Sequence, residues 1–486
     1  MLVFKIIKMQ KIIKYTLFSA LFATLGLQGC KDSYFDKLSD NPNQVANPTL
    51  STLLATSTYK AGFNNYSVAS IILPYVQYTA NPAANGAGDT FQAIDFSATW
   101  DLLYFAMADA NEMKKLAIAQ NSSEYKGVAD VLIAYNLIMV NDLWGSAPFS
   151  EAFNINNLVP KYDKQEDVYA STMALVDEAI VELSKTNATV KLAAASDLIY
   201  GTTASTERAN WLKMAYGLKA RLLNKVSKRS TYDPVAVLDA VSKSFTSNDE
   251  DARMQTFRER SPWATVALNN ENQSLGGWLS EQLVDALNGT TYPGVVDPRL
   301  PKITDLTVDG KYIGTVNGAG NRLPGANTRK DENYISRNSP WSGNTSPIFI
   351  ITYAELKFIE AEAAFNIDKT RSYNAYLAAI RANMDKFLVA AVDKEAYLAQ
   401  PTVAVGAAAL TKNLIFKEKY IATYLNPEAW NDARRFDYQY KDFTMPANAA
   451  LPTFIRRLDY TQGERSKNGA NVPAYVLRTT KLWWDQ

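Results

Sequence analysis

Apolar residues recur every three or four positions through much of the chain, a spacing that predicts amphipathic α-helices. The clearest stripe lies in residues 98–119, where Leu102, Phe105 and Met113 share one face. The same spacing predicts helices in residues 122–143, 162–185, 208–228, 351–366, 371–388 and 408–425, and a short helix that opens at Asp233 and Pro234. Asp163 and Glu166 have the spacing of a capping box. The chain is therefore predicted to be mainly α-helical.

The helix pair in residues 351–388 has small residues at 361–364, followed by Tyr373 and Tyr376. This pair resembles a tetratricopeptide helix hairpin, in which small residues lie where the two helices cross. The other predicted helices do not recur at a fixed period of about 34 residues. We therefore expect an irregular core of tetratricopeptide-like helical hairpins.

Three stretches break the helical pattern. Glycine and proline are frequent between Leu287 and Pro347, which predicts long loops with a few short strands, one of them at residues 311–316. A polar loop spans residues 79–92, and another irregular stretch spans residues 452–473. Loops longer than about 15 residues in a compact protein are usually functional or disordered, and the aromatic residues in these loops argue against disorder.

The N-terminus has the layout of a signal peptide, with lysines ahead of an uncharged apolar stretch at residues 15–27. As a helix this stretch would span only about 20 Å, too short to cross a bilayer. Met9 begins a complete signal layout of its own and is the alternative start to Met1. Residues 27–30 read Leu-Gln-Gly-Cys and resemble a bacterial lipobox, in which the cysteine becomes the lipid-modified first residue. The alternative for Cys30 is a free buried thiol.

Composition excludes several classes of chemistry. Cys30 is the only cysteine, so a disulfide framework and a C-x-x-C motif are excluded. The chain has no histidine, which excludes a Ser-His-Asp triad, a histidine general base and a His-ligated zinc site. Removal of residues 1–29 takes away four lysines and no acid, so that acidic residues outnumber basic ones. That balance argues against nucleic-acid binding.

Five segments resemble, in chain order, motifs of the SusD/RagB family of outer-membrane lipoproteins of Bacteroidetes. They are residues 27–30 (LQGC), 141–149 (NDLWGSAPF), 352–365 (TYAELKFIEAEAAF), 416–420 with 426–435 (FKEKY, NPEAWNDARR), and 456–464 (RRLDYTQGE). The resemblance covers nearly the whole mature chain. The set of five is specific, although no single member is.

The resemblance implies four tetratricopeptide-like hairpins and an irregular binding region, tethered to the outer membrane by a lipid at Cys30 and exposed on the cell surface. It also implies a partner, a TonB-dependent barrel of the SusC type, which the protein would cap. After the lipidated cysteine the family usually shows a lysine and two acids. Here Lys31, Asp32 and Ser33 supply a single acid, which departs from that export signal.

The predicted function is non-catalytic capture of a nutrient, either an oligosaccharide or a peptide, and its delivery to the barrel, with no cofactor. The expected organisation is a signal peptide in residues 1–29 and one domain in residues 30–486, made of a helical core at about 45–245 and 348–440, a loop-rich binding region at about 246–347, and C-terminal binding loops at 441–486. The membrane would be reached through the lipid alone.

Loop residues supply the candidate ligand contacts. Sugars and peptides both present apolar faces beside polar groups, so a site for either needs flat aromatic side chains ringed by amide and hydroxyl groups. The candidates are Phe91, Gln92, Trp278, Asn288, Tyr292, Trp341 and Asn344. For each of them, packing within its own loop is the alternative.

Two other functions stay open. A histidine-free hydrolase of polysaccharide or peptide would need two carboxylates about 5–9.5 Å apart. Glu355 and Glu362 lie about 10 Å apart along one helix face and Glu360 points elsewhere, so we expect all three to pair with basic residues. The other alternative is a helical-repeat scaffold that binds a protein segment.

Two further charged clusters have structural and functional interpretations. Residues 249–251 form an acidic loop that weakly suggests Ca²⁺, but they lack the spacing of an EF-hand, and a solvated loop is favoured. Arg434–Arg435 and Arg456–Arg457 could bind an anionic ligand. A structural role is favoured, in which Arg434 stacks on Trp430 or pairs with Asp432 or Asp437 and holds the helical core to the final loops.

Overall fold

The computed structural model of the protein describes residues 48–201, 207–271, 277–322 and 330–486. Residues 50–486 form one compact unit. The predicted signal peptide and Cys30 lie outside the described residues, so both stay predictions.

Helices dominate the described residues, which confirms the predicted mainly α class. In chain order they are α1 (Leu50–Ile72), α2 (Ser97–Ala119), α3 (Ser123–Trp144), α4 (Gln165–Ser184), α5 (Glu207–Lys225), α6 (Pro234–Ser242), α7 (Pro262–Glu271), α8 (Glu281–Asn288), α9 (Leu300–Ile303), α10 (Tyr353–Ala364), α11 (Lys369–Lys386), α12 (Ala391–Leu398), α13 (Lys412–Ala422), α14 (Glu428–Arg435) and α15 (Gln462–Lys467). Short 3₁₀ helices lie at Ala194–Ser196, Asn248–Glu250 and Trp483–Asp485.

The helices of the core pack side by side in chain order. Each of α1 to α5 packs on the next, and α6 then packs on α10, which forms a hairpin with α11. The loop-rich segment between α6 and α10 is therefore an insertion that leaves the row of helices and returns to it. The predicted helical hairpins provide this scaffold, and the inserted loops lie beside it.

Two details of the predicted helices are wrong. The apolar stripe of α2 is rotated, because Leu103 and Met107 are buried whereas Phe105 is 58% exposed. The predicted capping box of α4 does not form. Its N-cap is Lys164, with no side-chain hydrogen bond, and Asp163 instead accepts a hydrogen bond from the backbone N–H of Phe149. The cap at the start of α6 does form as predicted, with Asp233 accepting from two backbone N–H groups.

Helix α1 is absent from the predicted helices, because buried amides and hydroxyls interrupt its apolar stripe. Asn64 donates a hydrogen bond to the side-chain oxygen of Asn136 (2.8 Å), and Asn65 donates to the hydroxyl of Tyr135 (2.7 Å). Both partners lie on α3. That helix is long and apolar enough to cross a membrane, but its side chains are buried among its neighbours, as expected for the central helix of a core.

Within the described ranges, four short strands form two antiparallel pairs. Strand β1 (Thr79–Ala80) pairs with β3 (Trp278–Leu279), and β2 (Ala252–Met254) pairs with β4 (Ile348–Ile351). The strand predicted at residues 311–316 is reduced to isolated bridges at its end. Both pairs tie the inserted segment to the helical body, since β1 directly follows α1 and β4 directly precedes α10.

Motif segments of the mature chain meet in the core through buried ion pairs. Lys225 Nζ lies 2.5 Å from a carboxylate oxygen of Asp142. Lys419 Nζ lies 2.6 Å from Glu362 and 3.0 Å from Asp432. Asp142, Glu362, Lys419 and Asp432 come from the NDLWGSAPF, TYAELKFIEAEAAF, FKEKY and NPEAWNDARR segments, whereas Lys225 ends α5. These motif residues therefore stabilise the fold.

Candidate ligand-binding groove

The glutamates of α10 are paired with basic residues, as predicted. Glu355 binds Arg221 at 2.7 Å, and both side chains are buried. Glu360 lies 2.7 Å from both Lys357 and Arg371. With Glu362 bound to Lys419, this helix presents no free pair of carboxylates for glycoside hydrolysis.

The predicted structural role of Arg434 is confirmed. Its guanidinium carbon lies 3.8 Å from the ring centroid of Trp430. Its Nη1 donates hydrogen bonds to the backbone oxygens of Asp142 (2.7 Å) and Arg456 (2.8 Å). Arg434 thus joins the end of α3, helix α14 and the final loops, and it is not available to a ligand.

Two acids of the 249–251 loop are committed to cations. Glu250 pairs with Lys213, and a carboxylate oxygen of Asp251 lies 2.5 Å from Lys386 Nζ. Asp251 also accepts a hydrogen bond from the backbone N–H of Tyr353. Among the residues that the structure describes, no group of three or more His, Cys, Asp or Glu could hold a metal ion.

Three of the predicted aromatic contacts are buried in the interior of their loops. Phe91, Trp278 and Trp341 are 0%, 2% and 4% exposed. Phe91 packs against Tyr75 at a centroid distance of 5.9 Å, and Trp341 packs against Phe387 at 4.9 Å. Large rings bury so much area that they fill loop interiors when neighbours allow it. The stacking role expected of these three is corrected, because no ring face is left for a sugar.

The other four predicted residues keep polar or aromatic surface. Gln92 and Asn344 are exposed at separate loops. Asn288 is the last residue of α8 and donates a hydrogen bond to Asp285 (3.0 Å), and the half-buried Tyr292 follows in the next loop. Their contact with a ligand stays a prediction.

Hydrogen bonds bring several loops together beyond the C-terminal end of α1. Asn317 donates to the backbone oxygen of Thr79 (2.9 Å) and accepts from the backbone N–H of Ala447 through its own backbone oxygen (3.0 Å). Gln77 donates to the backbone oxygen of Thr444 (2.7 Å). The loop after α1, the inserted loops and the loop after α14 thus form one surface.

A polar groove of about 200 Å³ opens between these loops. Its lining consists mainly of amides, hydroxyls and carboxylates, among them Gln77, Gln282, Asp285, Thr291, Asn317 and Asp442. The groove is smaller than the roughly 300–1,000 Å³ of pockets that enclose whole small molecules. It therefore suits one unit of a longer ligand.

Two nearly buried groups in the groove have unused hydrogen-bonding capacity. Gln77 and Thr291 are 5% and 4% exposed. Gln77 Nε2 donates to the backbone oxygen of Thr444, and the backbone N–H and oxygen of Thr291 are both hydrogen-bonded. In contrast, Gln77 Oε1 and Thr291 Oγ1 have no hydrogen-bond partner in the described ranges. Neither atom is among the fully buried unpaired atoms, so water reaches both from the groove, and a ligand hydroxyl can take the place of that water.

The backbone of the groove is strained at two lining residues. Gln77 has φ 53° and Asp442 has φ 59°. Left-handed backbone is uncommon for residues other than glycine, and such strain costs on the order of 1–3 kcal/mol and clusters at functional sites. Gln77 and Asp442 both line the groove, so their strained backbone sets the position of two lining residues.

The groove is acidic. Burial raises the pKa of the Asp285 carboxyl, and the nearby carboxylates of Glu281 and Asp442 raise it further. The hydrogen bond from Asn288 acts in the opposite direction. Charged oxygens and hydrogen-bonding amides therefore share one small surface.

Two larger depressions, of about 520 and 540 Å³, lie on the outer faces of α10 and α11. They are shallow, and charged residues that line them pair with one another or with neighbours, as Glu360 does with Lys357 and Arg371. The smaller groove is the better candidate, because buried groups with unused hydrogen-bonding capacity face it.

Comparison with known proteins then identifies the family. Residues 42–461 match a family model named SusD-like and described as "Starch-binding associating with outer membrane". The chain belongs to the SusD-like family. No curated protein matches this SusD-like chain in sequence.

Solved SusD-like structures share the fold. A SusD/RagB family protein from Bacteroides thetaiotaomicron VPI-5482 has 21% identity over 90% of this chain and 99% of its own, with a TM-score of 0.72. A chitin-binding SusD homologue from Flavobacterium johnsoniae has 20% identity over 89% and 98%, with a TM-score of 0.73. A SusD homologue from Bacteroides fragilis NCTC 9343 has 19% identity over 90% and 100%, with a TM-score of 0.71. The family predicted from sequence motifs is confirmed.

Proposed function

We propose that this SusD-like protein captures a glycan at the outer membrane without transforming it, and delivers it to a SusC-like TonB-dependent barrel. The observation that carries the proposal is the polar groove, in which the nearly buried Gln77 and Thr291 keep unpaired polar atoms. The family description names starch binding and the outer membrane, and one relative of the same fold is a chitin-binding protein.

The chemistry of the groove favours a sugar over a peptide. Sugars present many hydroxyls, which pair well with amides, hydroxyls and carboxylates at close spacing. Peptides are usually held at an exposed strand edge or by apolar pockets for their side chains. The groove is lined mostly by polar side chains, with Val316, Met445, Pro446 and Ala447 as its apolar residues.

Binding without catalysis is favoured over hydrolysis because the glutamates of α10 are all bound to cations. The lipid on Cys30 would tether the protein to the membrane, on the cell surface. Copurification with a large barrel from detergent-solubilised outer membrane tests the delivery step. Recovery of the protein without any barrel would argue for a scaffold or a free-standing binder.

Calorimetry with neutral malto-, cello- and chito-oligosaccharides tests capture. We expect one series to bind, and Thr291→Val to weaken that binding about tenfold, since a lost hydrogen bond is worth about 1–1.5 kcal/mol. Thr56→Val, on the far side of α1, is the matched control and should change neither affinity nor Tm. Absence of binding to every series, or release of shorter products during the incubation, would contradict the proposal.

A further inference from the structure

Building on the proposed function, we propose that the groove selects a sugar that carries a protonated amino group over the same sugar with that nitrogen acetylated. The geometry behind this is a set of carboxylates that, among the residues described at the groove, outnumbers the cations and lies beside the unpaired Gln77 Oε1 and Thr291 Oγ1. Carboxylates suit the ammonium, and the two uncharged groups suit the hydroxyls of the same sugar ring.

Arg322, a guanidinium beside the groove in the described part of the chain, is already occupied by two acids. Arg322 Nη1 lies 2.8 Å from Glu332, and its Nη2 lies 2.5 Å from Glu281. Glu281 lines the groove and Glu332 is buried behind it. The single positive charge of Arg322 is therefore shared by two carboxylates, and Asp285 and Asp442 add two more negative groups at the groove.

The nearest ammonium is also engaged elsewhere. Lys441 Nζ donates a hydrogen bond to the backbone oxygen of Thr291 (2.5 Å) and lies 5.3 Å from the ring centroid of Tyr292. The next residue, Asp442, has neither an ion pair nor a hydrogen bond to its side chain within the described part of the chain. Its carboxylate is exposed and lines the groove.

Asp285 adds a second incompletely satisfied carboxylate. One of its oxygens accepts a hydrogen bond from Asn288 (3.0 Å), and the other has no protein donor in the ranges described. Burial and the charges of Glu281 and Asp442 raise the pKa of Asp285. A ligand ammonium relieves this repulsion, whereas a uronate or sulfate adds to it.

Calorimetry at about pH 6 with two tetramers, one of glucosamine and one of N-acetylglucosamine, tests the selection. We expect the glucosamine tetramer to bind about tenfold more tightly, and the preference to shrink at high salt because the groove is open to solvent. Asp442→Asn should abolish the preference, so that the two tetramers bind with equal affinity. Asp239→Asn, an exposed acid on α6, is the matched control and should keep it.

Each outcome decides the proposal. Equal binding of the two tetramers overturns the selection but leaves glycan capture intact, whereas binding of neither these nor the neutral oligosaccharides overturns both. A preference that survives in both Asp442→Asn and Asp285→Asn places the amine elsewhere and overturns the assignment. Binding of a lysine-containing tetrapeptide as tightly as the glucosamine tetramer overturns the sugar and indicates a peptide site.

Discussion

At the scale of the residue, buried charged side chains form clusters that join distant parts of the chain. Arg299 is fully buried between Asp297 (2.6 Å) and Glu418 (2.5 Å). Tyr397 donates a hydrogen bond to the second carboxylate oxygen of Glu418 (2.7 Å). Taking an ion out of water costs several kcal/mol, so such a cluster is tolerated only when every member has its partners. Removal of one member should therefore be severe.

The Glu418 carboxylate makes stability depend on pH. Burial raises its pKa, but Lys417 and Arg299 outweigh that effect and lower the pKa from 4.5 to about 2. Because the folded pKa is the lower one, the contribution of this carboxylate is present above about pH 4.5 and is lost as the pH falls toward 2. We expect Glu418→Gln to lower the free energy of unfolding by about 3–5 kcal/mol at pH 7.

Urea denaturation followed by tryptophan fluorescence at several pH values measures this effect. The difference in the free energy of unfolding between wild type and Glu418→Gln should become smaller as the pH falls below about 4. Glu395→Gln, which breaks an exposed pair with Arg381, should cost less than about 1 kcal/mol at every pH. A gap that stays constant with pH would show that Glu418 acts through packing and not through charge.

Arg434 combines stacking with hydrogen bonding. Its guanidinium lies against Trp430 (3.8 Å) and Trp484 (4.7 Å) and donates to two backbone oxygens. We expect both Arg434→Lys and Arg434→Ala to lower the free energy of unfolding by about 3 kcal/mol or more, because an ammonium reproduces neither the flat stacking nor the fork of donors. Chemical denaturation checks this. Full stability of Arg434→Lys would show that the charge alone is sufficient.

At the scale of elements, the row of helices depends on close approach where neighbours cross. Gly127 on α3 faces α4, and a Cβ placed on it would lie 2.5 Å from Leu183 Cγ and 3.2 Å from the backbone oxygen of Ala179. Any larger residue must push the two helices apart. The α3–α4 crossing is therefore a sensitive point of the scaffold.

Gly127→Ala tests that crossing. Alanine favours a helix by up to about 1 kcal/mol, yet overpacking costs about 1–3 kcal/mol, so we expect net destabilisation. The double variant with Leu183→Ala should be more stable than the sum of the single changes predicts, because the new methyl occupies space that the leucine leaves. Urea denaturation of wild type, the two single variants and the double variant measures the coupling free energy between positions 127 and 183. If Gly127→Ala is more stable than wild type, the helix propensity of alanine outweighs the cost of overpacking at this crossing.

At the scale of the whole molecule, the described chain begins at one end of the helical body and the groove lies at the other. Helix α1 runs antiparallel to α2, since Lys60 binds Asp109 (2.6 Å) and Ser67 binds Thr99 (3.1 Å). With 23 residues, α1 is about 34 Å long, and Gln77 of the groove follows its end. The N-terminal end of α1 is therefore remote from the groove.

Cys30→Ser should separate anchoring from binding. We expect the variant to leave the membrane fraction and to lack the fatty-acid mass of the native protein, because only the cysteine thiol can receive the lipid. Glycan affinity and Tm should stay unchanged, since the described residues that line the groove all come from position 77 onward. Detergent phase partition, mass spectrometry and calorimetry check these points. A variant that stays in the membrane fraction would contradict lipid anchoring at Cys30.

Most core helices and the family were predictable from the sequence, because a helix satisfies its backbone locally and its buried face recurs along the chain. Local pattern did not suffice where burial depends on distant partners. Asn64 on α1 is satisfied by Asn136 on α3, and α14 carries Arg434, whose acceptors lie on α3 and in the final loops. Buried amides and hydroxyls interrupt the apolar stripe of α1, and α14 is too polar to have one.

The sequence by itself determined the helical class, the family motifs and the loops in which a ligand site belongs. Only the tertiary structure decided which loop residues face outward. Phe91, Trp278 and Trp341 became core residues because neighbours from other segments cover their rings. Gln77 and Thr291 became groove residues because loops 200 or more positions apart along the chain meet beyond the end of α1. Exposure depends on those long-range contacts, and no local pattern records them.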